Sequence, residues 1–127
     1  MATREYTHPD VNIARDQAIH LPATAASTIV TKFVAFAKMR IKAVRGGVLV
    51  AGTNTAAGYE LLNGTTTVGS ITAGTNTAGS ALTGSITAAN AVLEEGAQLD
   101  IKTLANSATL VSAISIEYQL TGDADVL

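Results

Sequence analysis

The sequence predicts an all-β domain of about eight strands, and three observations favour this fold class. Residues 109–120 place mainly apolar side chains at even positions and mainly small or polar ones at odd positions, the period-two pattern of a strand with one buried face. Turn residues such as Gly and Asn recur roughly every 8–12 residues. No stretch has the periodicity of a long helix. This combination is typical of a β-sandwich or a β-barrel.

Length and composition limit the classes of protein. A chain of 127 residues is one domain that can bury roughly two-thirds of its unfolded surface. It has no Cys, which excludes disulfides and Cys-based metal sites. The many Ala and Thr residues predict flat strands with small side chains. No segment approaches the ~20 apolar residues of a membrane span, and the N-terminus lacks a signal-peptide core, so we expect a soluble protein without a membrane partner.

The charges are divided along the chain. Residues 1–50 hold seven of the eight basic residues, and seven of the ten acidic residues come after residue 50. Two interpretations remain open: opposite faces that favour docking, or ordinary solvated strands. The basic residues are too few to predict nucleic-acid binding.

The N-terminal 24 residues are predicted to form an extended arm before a sandwich domain at residues 25–120. Residues 1–10 are polar and contain Pro9. From Val11 to Leu21 the apolar residues share odd positions, but polar residues interrupt them. This pattern fits either a marginal first strand or an arm that becomes ordered on a partner. Residues 22–27 read as a loop, and residues 121–127 as a short acidic tail.

The remaining strands follow in order. Residues 27–39 are apolar on both faces, and their β-branched and aromatic content favours a strand over an amphipathic helix. The next strand begins near residue 38, is interrupted at Gly46-Gly47 and continues to residue 50. Asn63-Gly64 predicts a type I′ turn, and Glu94-Glu95-Gly96 predicts another turn. Further strands are predicted at residues 59–62, 66–72, 80–87, 98–104 and 109–120.

Candidate catalytic and metal-binding groups are few. His8 and His20 have no partner at metal-ligand spacing. Glu94 and Glu95 precede a Gly, which is typical of a solvated turn rather than of a carboxylate pair across a cleft. The Gly-rich stretches lack the Lys-Ser/Thr of a phosphate loop. We therefore expect no enzymatic activity, no metal and no cofactor. A carbohydrate-binding module is disfavoured because the chain has no Trp and only three Tyr.

Several segments between residues 28 and 120 together resemble a known family. They are Phe33-Val34-Ala35, Met39-x-Ile41-x-Ala43-Val44, Val48-Leu49-Val50-Ala51-Gly52-Thr53, Asn63-Gly64-Thr65, Val68-Gly69-Ser70-Ile71, Asn90-Ala91-Val92-Leu93-x-x-Gly96-x-x-Leu99-x-Ile101 and the strand from Val111 to Tyr118. The chain resembles the small jelly-roll proteins of tailed-bacteriophage virions, particularly capsid decoration (cement) proteins. It departs from them at Gly96-Ala97-Gln98, where such modules frequently place Asp after the Gly. The resemblance implies a jelly-roll-like antiparallel β-sandwich of about eight strands with an extended N-terminal arm.

The same resemblance implies a function. Decoration proteins are non-enzymatic, are made in the host cytoplasm and bind the outer surface of the phage head, commonly as homotrimers. The expected partners are further copies of the chain and the major capsid protein, whose subunit contacts are stabilised. Similar modules occur in tail fibres and baseplates, so a tail module that binds a receptor or a glycan is the alternative.

Two contact surfaces are expected. The arm would contact the capsid, through Arg4, Tyr6, Arg15 and His20. The odd face of residues 109–120 would contact another copy or the arm, through Val111, Ala113 and Ser115. These side chains are small and uncharged, whereas a solvent-exposed strand would more often carry charge.

Overall fold

The computed structural model describes residues 14–105 and 109–121, and this part of the chain contains ten β-strands and one short 3-10 turn at Ala88–Asn90. The strands are β1 (Ala14–Leu21), β2 (Ile29–Val34), β3 (Met39–Val50), β4 (Gly58–Asn63), β5 (Thr66–Thr72), β6 (Ala81–Thr83), β7 (Ser85–Ile86), β8 (Val92–Leu93), β9 (Gln98–Thr103) and β10 (Val111–Leu120).

The strands form two antiparallel sheets with a shared core. Sheet 1 has the order β1-β10-β3-β6, with β8 also paired to β3, and sheet 2 has the order β2-β9-β4-β5-β7. The pairing is nested: β1 pairs with the last strand, β2 with the strand before it, and β4 with β5. Two antiparallel sheets that share a core form a β-sandwich. The predicted all-β sandwich is confirmed.

The even face of β10 lies in the core, as the alternation predicts. Ile114, Ile116 and Tyr118 are buried, and Leu120 at the strand end is half-buried. The opposing layer comes from sheet 2, whose fully buried side chains include Tyr59 on β4 and Ile101 on β9. A strand that is buried on one face requires strict alternation of apolar and polar residues. This explains why β10 could be predicted from the sequence.

The strand interpretation of the N-terminal region is correct for Ala14–Leu21. This segment pairs with β10 along its whole length, from Ala14 opposite Gln119 to Leu21 opposite Ser112. The arm boundary at residue 24 is therefore too late. Polar residues interrupt the apolar pattern of β1, which made the strand hard to recognise in the sequence. They are tolerated because β1 is an edge strand and only part of its inner side is buried. Residues 1–13 and 122–127, which hold most of the predicted arm and tail, lie outside the described residues.

The segment 27–39 contains a strand, as predicted, but only over Ile29–Val34. Strand β3 then runs without interruption from Met39 to Val50, so the predicted break at Gly46-Gly47 is wrong. A Cβ atom on Gly46 would lie 2.5 Å from the carbonyl oxygen of Ala113. Gly46 therefore permits the close approach of β3 and β10 and does not end the strand.

The predicted strand at residues 80–87 divides into two pieces in different sheets. β6 pairs with β3 in sheet 1, and β7 pairs with β5 in sheet 2. The chain crosses between the sheets at Gly84, where a Cβ atom would meet the side chain of Val44 and the carbonyl oxygen of Ser70. A residue without a side chain is required there, and this crossing raises the strand count above eight.

The hairpin turn between β4 and β5 differs from the type I′ prediction. Asn63 still pairs with Thr66, so the two loop residues are Gly64 and Thr65. Only Gly64 has positive φ, at 65°, whereas type I′ needs positive φ at both loop residues; Gly in the first position fits type II′. A register shift between Leu61 and Leu62 leaves Val68 of β5 without an opposed residue on β4. The turn at Glu94–Gly96 is confirmed by the hydrogen bond from Ala97 N to Glu94 O, 3.0 Å long.

Candidate interaction surface

The side of sheet 1 that faces away from the core is the surface that carries most of the predicted contact residues. Directly opposed residues on antiparallel strands share a face, so the observed register defines its members. We call this surface the outer face; it comprises Ala14, Asp16, Ala18 and His20 of β1, Val111, Ala113, Ser115, Glu117 and Gln119 of β10, and Arg40, Lys42, Ala43, Arg45, Gly47 and Val50 of β3.

The centre of the outer face is formed by small side chains on β10. Val111, Ala113 and Ser115 point away from the core and are half-buried. Neighbouring strands on both sides limit their exposure, because β10 lies between β1 and β3. The structure thus places the three predicted interface residues on one surface, whose covering by another molecule stays a prediction.

The predicted capsid-contact residues do not form one surface. His20 is directly opposite Ala113 and therefore belongs to the outer face, where it is exposed. Arg15 is opposite the buried Tyr118 and lies on the other side of β1, where it is half-buried. Arg4 and Tyr6 lie outside the described residues. The structure brings His20 to the predicted oligomer surface, a contact that sequence reasoning could not find because β1 and β10 are far apart in the chain.

The basic residues of the outer face lie on β3, and its acidic residues lie on β1 and β10. β3 carries Arg40, Lys42 and Arg45, whereas β1 carries Asp16. Between them, Glu117 on β10 accepts a hydrogen bond from Nη1 of Arg45, with the two atoms 2.9 Å apart. Lys42 reaches the outer face because a register shift between Glu117 and Tyr118 inserts an extra residue into β3.

Exposed apolar side chains lie at both ends of β3. Phe36, just before β3, is 57% exposed, and its ring packs edge-on to Tyr118 with 6.1 Å between ring centroids. At the other end, Leu49 and Val50 are each about half exposed, beside Val111. Leu49 is exposed because the register shifts between Val111 and Ser112, which breaks the alternation of β3 at that point.

A groove of about 510 Å³ separates β1 from β2, the edge strands of the two sheets. Its lining includes Gln17 and Ile19 from β1, Lys32 from β2, and Phe36. Because edge strands carry backbone groups without a strand partner on one side, this groove is the open side of the sandwich.

The outer side of sheet 2 has a different character. Lys32 Nζ lies 3.2 Å from Oδ1 of Asp100 across β2 and β9. The hydroxyl of Thr67 donates to Oε2 of Glu60, 2.8 Å away, and Glu60 is directly opposite Lys102. This side also carries two exposed apolar side chains on β2, Ile29 and Val34. The middle strand of the outer face of sheet 1, in contrast, presents the small side chains of Ala113 and Ser115.

No group of three or more His, Asp or Glu residues within residues 14–105 and 109–121 is arranged to hold a metal ion. Within the same ranges, no helix is long and apolar enough to cross a membrane. Comparisons of the whole chain with protein-family profiles, with characterised proteins and with solved structures returned no significant match.

Proposed function

We propose that this chain is a non-enzymatic structural protein of a tailed-bacteriophage virion, a decoration protein that binds the outside of the head. In this function it stabilises contacts between major capsid subunits and associates with further copies of itself. The sequence resemblance over residues 28–120 supports the proposal, and the antiparallel β-sandwich is compatible with it. The outer face supplies the surface through which such a protein could act.

The observation that carries the proposal is the group of small side chains on the middle strand of the outer face of sheet 1. Sheet 2 instead presents the Lys32–Asp100 ion pair beside the exposed side chains of Ile29 and Val34. The outer face of sheet 1 presents Ala113 and Ser115 at its centre, flanked by charges of opposite sign. Small side chains on a central strand let another protein surface approach closely, and the charges on the neighbouring strands give orientation.

The second contact in the proposal is made by the residues before β1. β1 lies at the edge of sheet 1, beside the groove that separates it from β2. Residues 1–13 precede β1 in the sequence and include Arg4 and Tyr6, which we propose to contact the capsid. When one contact is made, it holds the second binding site close to the particle at a high effective concentration. If the geometry allows both contacts, the overall affinity rises by ~10²–10⁴.

The tail-module alternative predicts a different surface. Glycan sites commonly use exposed aromatic rings, and among the aromatic residues of the described ranges only Phe36 is largely exposed. No observation therefore favours the alternative over the capsid function, and it is kept as an outcome of the test.

The test is co-sedimentation with expanded heads that lack their decoration protein, prepared from the phage that encodes the chain. The full chain is expected to pellet with these heads and to raise their resistance to heat. The variant without residues 1–13 and the variant Ala113→Lys are expected to bind more weakly, whereas Ser85→Lys, on the outer side of sheet 2, serves as the matched control. Absence of binding by the full chain, together with binding to host-cell glycans, would replace the capsid function with the tail function.

A further inference from the structure

Two basic side chains of β3, Arg40 and Lys42, make no ion pair within the described residues. Both are exposed, and they are two residues apart on the same side of the strand. The Cα atoms of such residues are about 7 Å apart. Like charges at this spacing repel each other, so an acidic group that approaches both side chains is favoured.

The other basic side chains of the described part are engaged or lie elsewhere. Three of them form ion pairs with acidic side chains: Lys32, Lys38 and Arg45. Arg15 also has an interaction partner. Lys102 lies on the outer side of sheet 2, opposite Glu60. Within the described part of sheet 1, Arg40 and Lys42 are therefore the basic side chains that are available to an acidic group.

A cavity of about 360 Å³ lies beside these two side chains, at the edge of β3 that faces away from β10. Strand β3 pairs with β8 at residues 39–40 and with β6 at residues 45–47, and the cavity lies next to the segment between these pairings. Its lining combines charged and apolar residues: Arg40, Ile41, Lys42, Ile86, Ala88 and Ala91. A ligand that carries negative charge and a short apolar group is complementary to this lining.

The chain itself supplies a segment of this chemistry close to the cavity. Residues 122–127 have the sequence Gly-Asp-Ala-Asp-Val-Leu, with two acidic residues followed by two apolar ones. They follow Thr121, whose backbone N–H donates to the carbonyl oxygen of Lys38, 3.1 Å away. The segment therefore begins beside the start of β3, two residues before Arg40.

The spacing of the acidic residues matches the spacing of the basic ones. Asp123 and Asp125 are two and four residues beyond Thr121, and Arg40 and Lys42 are two and four residues beyond its hydrogen-bond partner on the neighbouring strand. In an extended segment, residues two apart point to the same side. A reversal of direction at Gly122, the residue type that tolerates such a turn most readily, would align the two pairs of charges.

The charges of the neighbouring strands direct an acidic segment to β3 and away from β1. On the far side of β10, Asp16 of β1 makes no ion pair within the described residues. Glu117 lies beside it on β10. An acidic segment is repelled by these carboxylates and attracted to the basic side chains of β3.

We propose that residues 122–127 fold back over β3 of the same molecule and bind its two free basic side chains. In this arrangement Asp123 pairs with Arg40, and Asp125 pairs with Lys42. The next residue on the same side of the segment is Leu127, which reaches the apolar part of the cavity.

This contact would control access to one part of the outer face. While residues 122–127 are bound, an acidic partner has to displace them before it can reach Arg40 and Lys42. The small side chains at the opposite end of β10, from Val111 to Ser115, stay uncovered. The proposal therefore goes beyond the proposed function, and its test needs no capsid.

The test uses one engineered cysteine, because the chain has no Cys. Ala124→Cys carries a nitroxide spin label on the side of the segment that faces away from β3. In the full chain, the amide NMR signals of Lys42 and Ile86 should be broadened by the label. The signals of β9, in sheet 2, should be unaffected.

Charge reversal distinguishes a specific contact from mere proximity. Arg40→Glu/Lys42→Glu should reduce the broadening at Ile86 by about threefold or more, because like charges then oppose each other. Both substitutions change exposed side chains, and thermal unfolding can check that the variant folds. Lys102→Glu, which changes a lysine of sheet 2, is the matched control and should leave the broadening unchanged.

Two further measurements complete the test. Adding Asp123→Lys and Asp125→Lys to the reversed strand exchanges the charges of the two partners, so the broadening should return. A mixture of spin-labelled protein with isotope-labelled protein that carries no spin label should show no broadening, because the contact forms within one molecule.

Five results would overturn the proposal: no broadening at Lys42 and Ile86, broadening that survives reversal of the strand charges, equal loss of broadening in Lys102→Glu, no return of the broadening when both partners are reversed, or broadening between molecules in the mixture. Loss of head binding with this contact intact would instead contradict only the proposed capsid function.

Discussion

Arg45 on β3 and Glu117 on β10 form an ion pair diagonally across the outer face, with Nη1 of the arginine 2.9 Å from Oε1 of the glutamate. Glu117 lies on the central strand of the face, two residues from Ser115. The charges of the pair are accessible to water, because the Arg45 side chain is 58% exposed and the Glu117 side chain 28% exposed. Water and salt screen such a pair, so it contributes little to folding.

A double-mutant cycle with Arg45→Ala and Glu117→Gln should therefore give a small coupling energy. We expect about 0.2–1 kcal/mol in the free energy of unfolding, falling as salt is added. Urea unfolding of the wild-type protein, the two single variants and the double variant supplies the measurement. A coupling above about 2 kcal/mol would show that the pair is a structural element of the sandwich.

The two phenylalanines that contact Tyr118 should differ strongly in their contribution to stability. Phe33 is buried, with its ring centroid 5.5 Å from that of Tyr118, whereas Phe36 is 57% exposed. Phe33→Ala should lower the free energy of unfolding by about 3–5 kcal/mol, because it leaves a cavity in the core. Phe36→Ala should lower it by about 1 kcal/mol, since its edge-on contact is made at the surface.

Urea unfolding of the two variants in parallel decides the point, and each serves as the control for the other. Equal losses for the two variants would mean that Phe36 is covered in solution, for example by another copy or by the residues before β1.

Thr103 should be the most sensitive polar residue of the described core. Its buried hydroxyl donates to the carbonyl oxygen of Ala25, 2.6 Å away, and accepts a hydrogen bond from Thr28 N at 2.9 Å. These bonds attach the loop between β1 and β2 to β9. Thr103→Val keeps the shape but leaves both backbone groups without this partner, so we expect a loss of about 1–3 kcal/mol.

Thr103→Ser is the matched control, since it retains the hydroxyl and loses only a methyl group. Chemical unfolding of both variants checks the prediction. If the valine variant were as stable as the wild-type protein, the hydroxyl would not hold the loop.

Removal of residues 1–13 should leave the sandwich intact, because every described strand begins after this segment. We expect a change of at most about 0.5 kcal/mol in the free energy of unfolding. Removal of residues 1–21 also deletes β1 and exposes the edge of β10, so this variant should be unstable and aggregate. Urea unfolding and light scattering distinguish the two variants, and a large loss of stability in the shorter deletion would contradict the prediction. A deletion that tests the role of the N-terminal arm should therefore end before Ala14, where β1 begins.

The long central strand was the part of the fold that the sequence predicted best. The even residues from Leu110 to Tyr118 are all buried. Each of them is therefore apolar or small, and this makes the alternation easy to recognise in the sequence. Strand β1 was hard to recognise because Gln17 lines the open groove and Arg15 is half-buried, so two polar residues interrupt the apolar side of the strand. The Gly-based errors have one cause: Gly46 and Gly84 serve close approaches between strands that are distant in sequence, which local turn statistics cannot represent.

The surface was predictable only in part. The small, uncharged side chains of Val111, Ala113 and Ser115 could be recognised from the sequence because they all belong to one strand. The residues on each side of it, on β1 and β3, depend on which strands pair with β10 and in which register, and long-range pairing leaves no local signal. The separation of Arg15 from His20 follows from the same alternation that defines a strand, and it became clear once residues 14–21 were known to be a strand.

The most direct test of the proposed function is cryo-electron microscopy of virions of the phage that encodes the chain. The account predicts density for this ten-stranded sandwich at regular positions over the outside of the head, each copy bridging neighbouring capsid subunits. Density confined to the tail or baseplate, or virions that contain none of the protein, would contradict it.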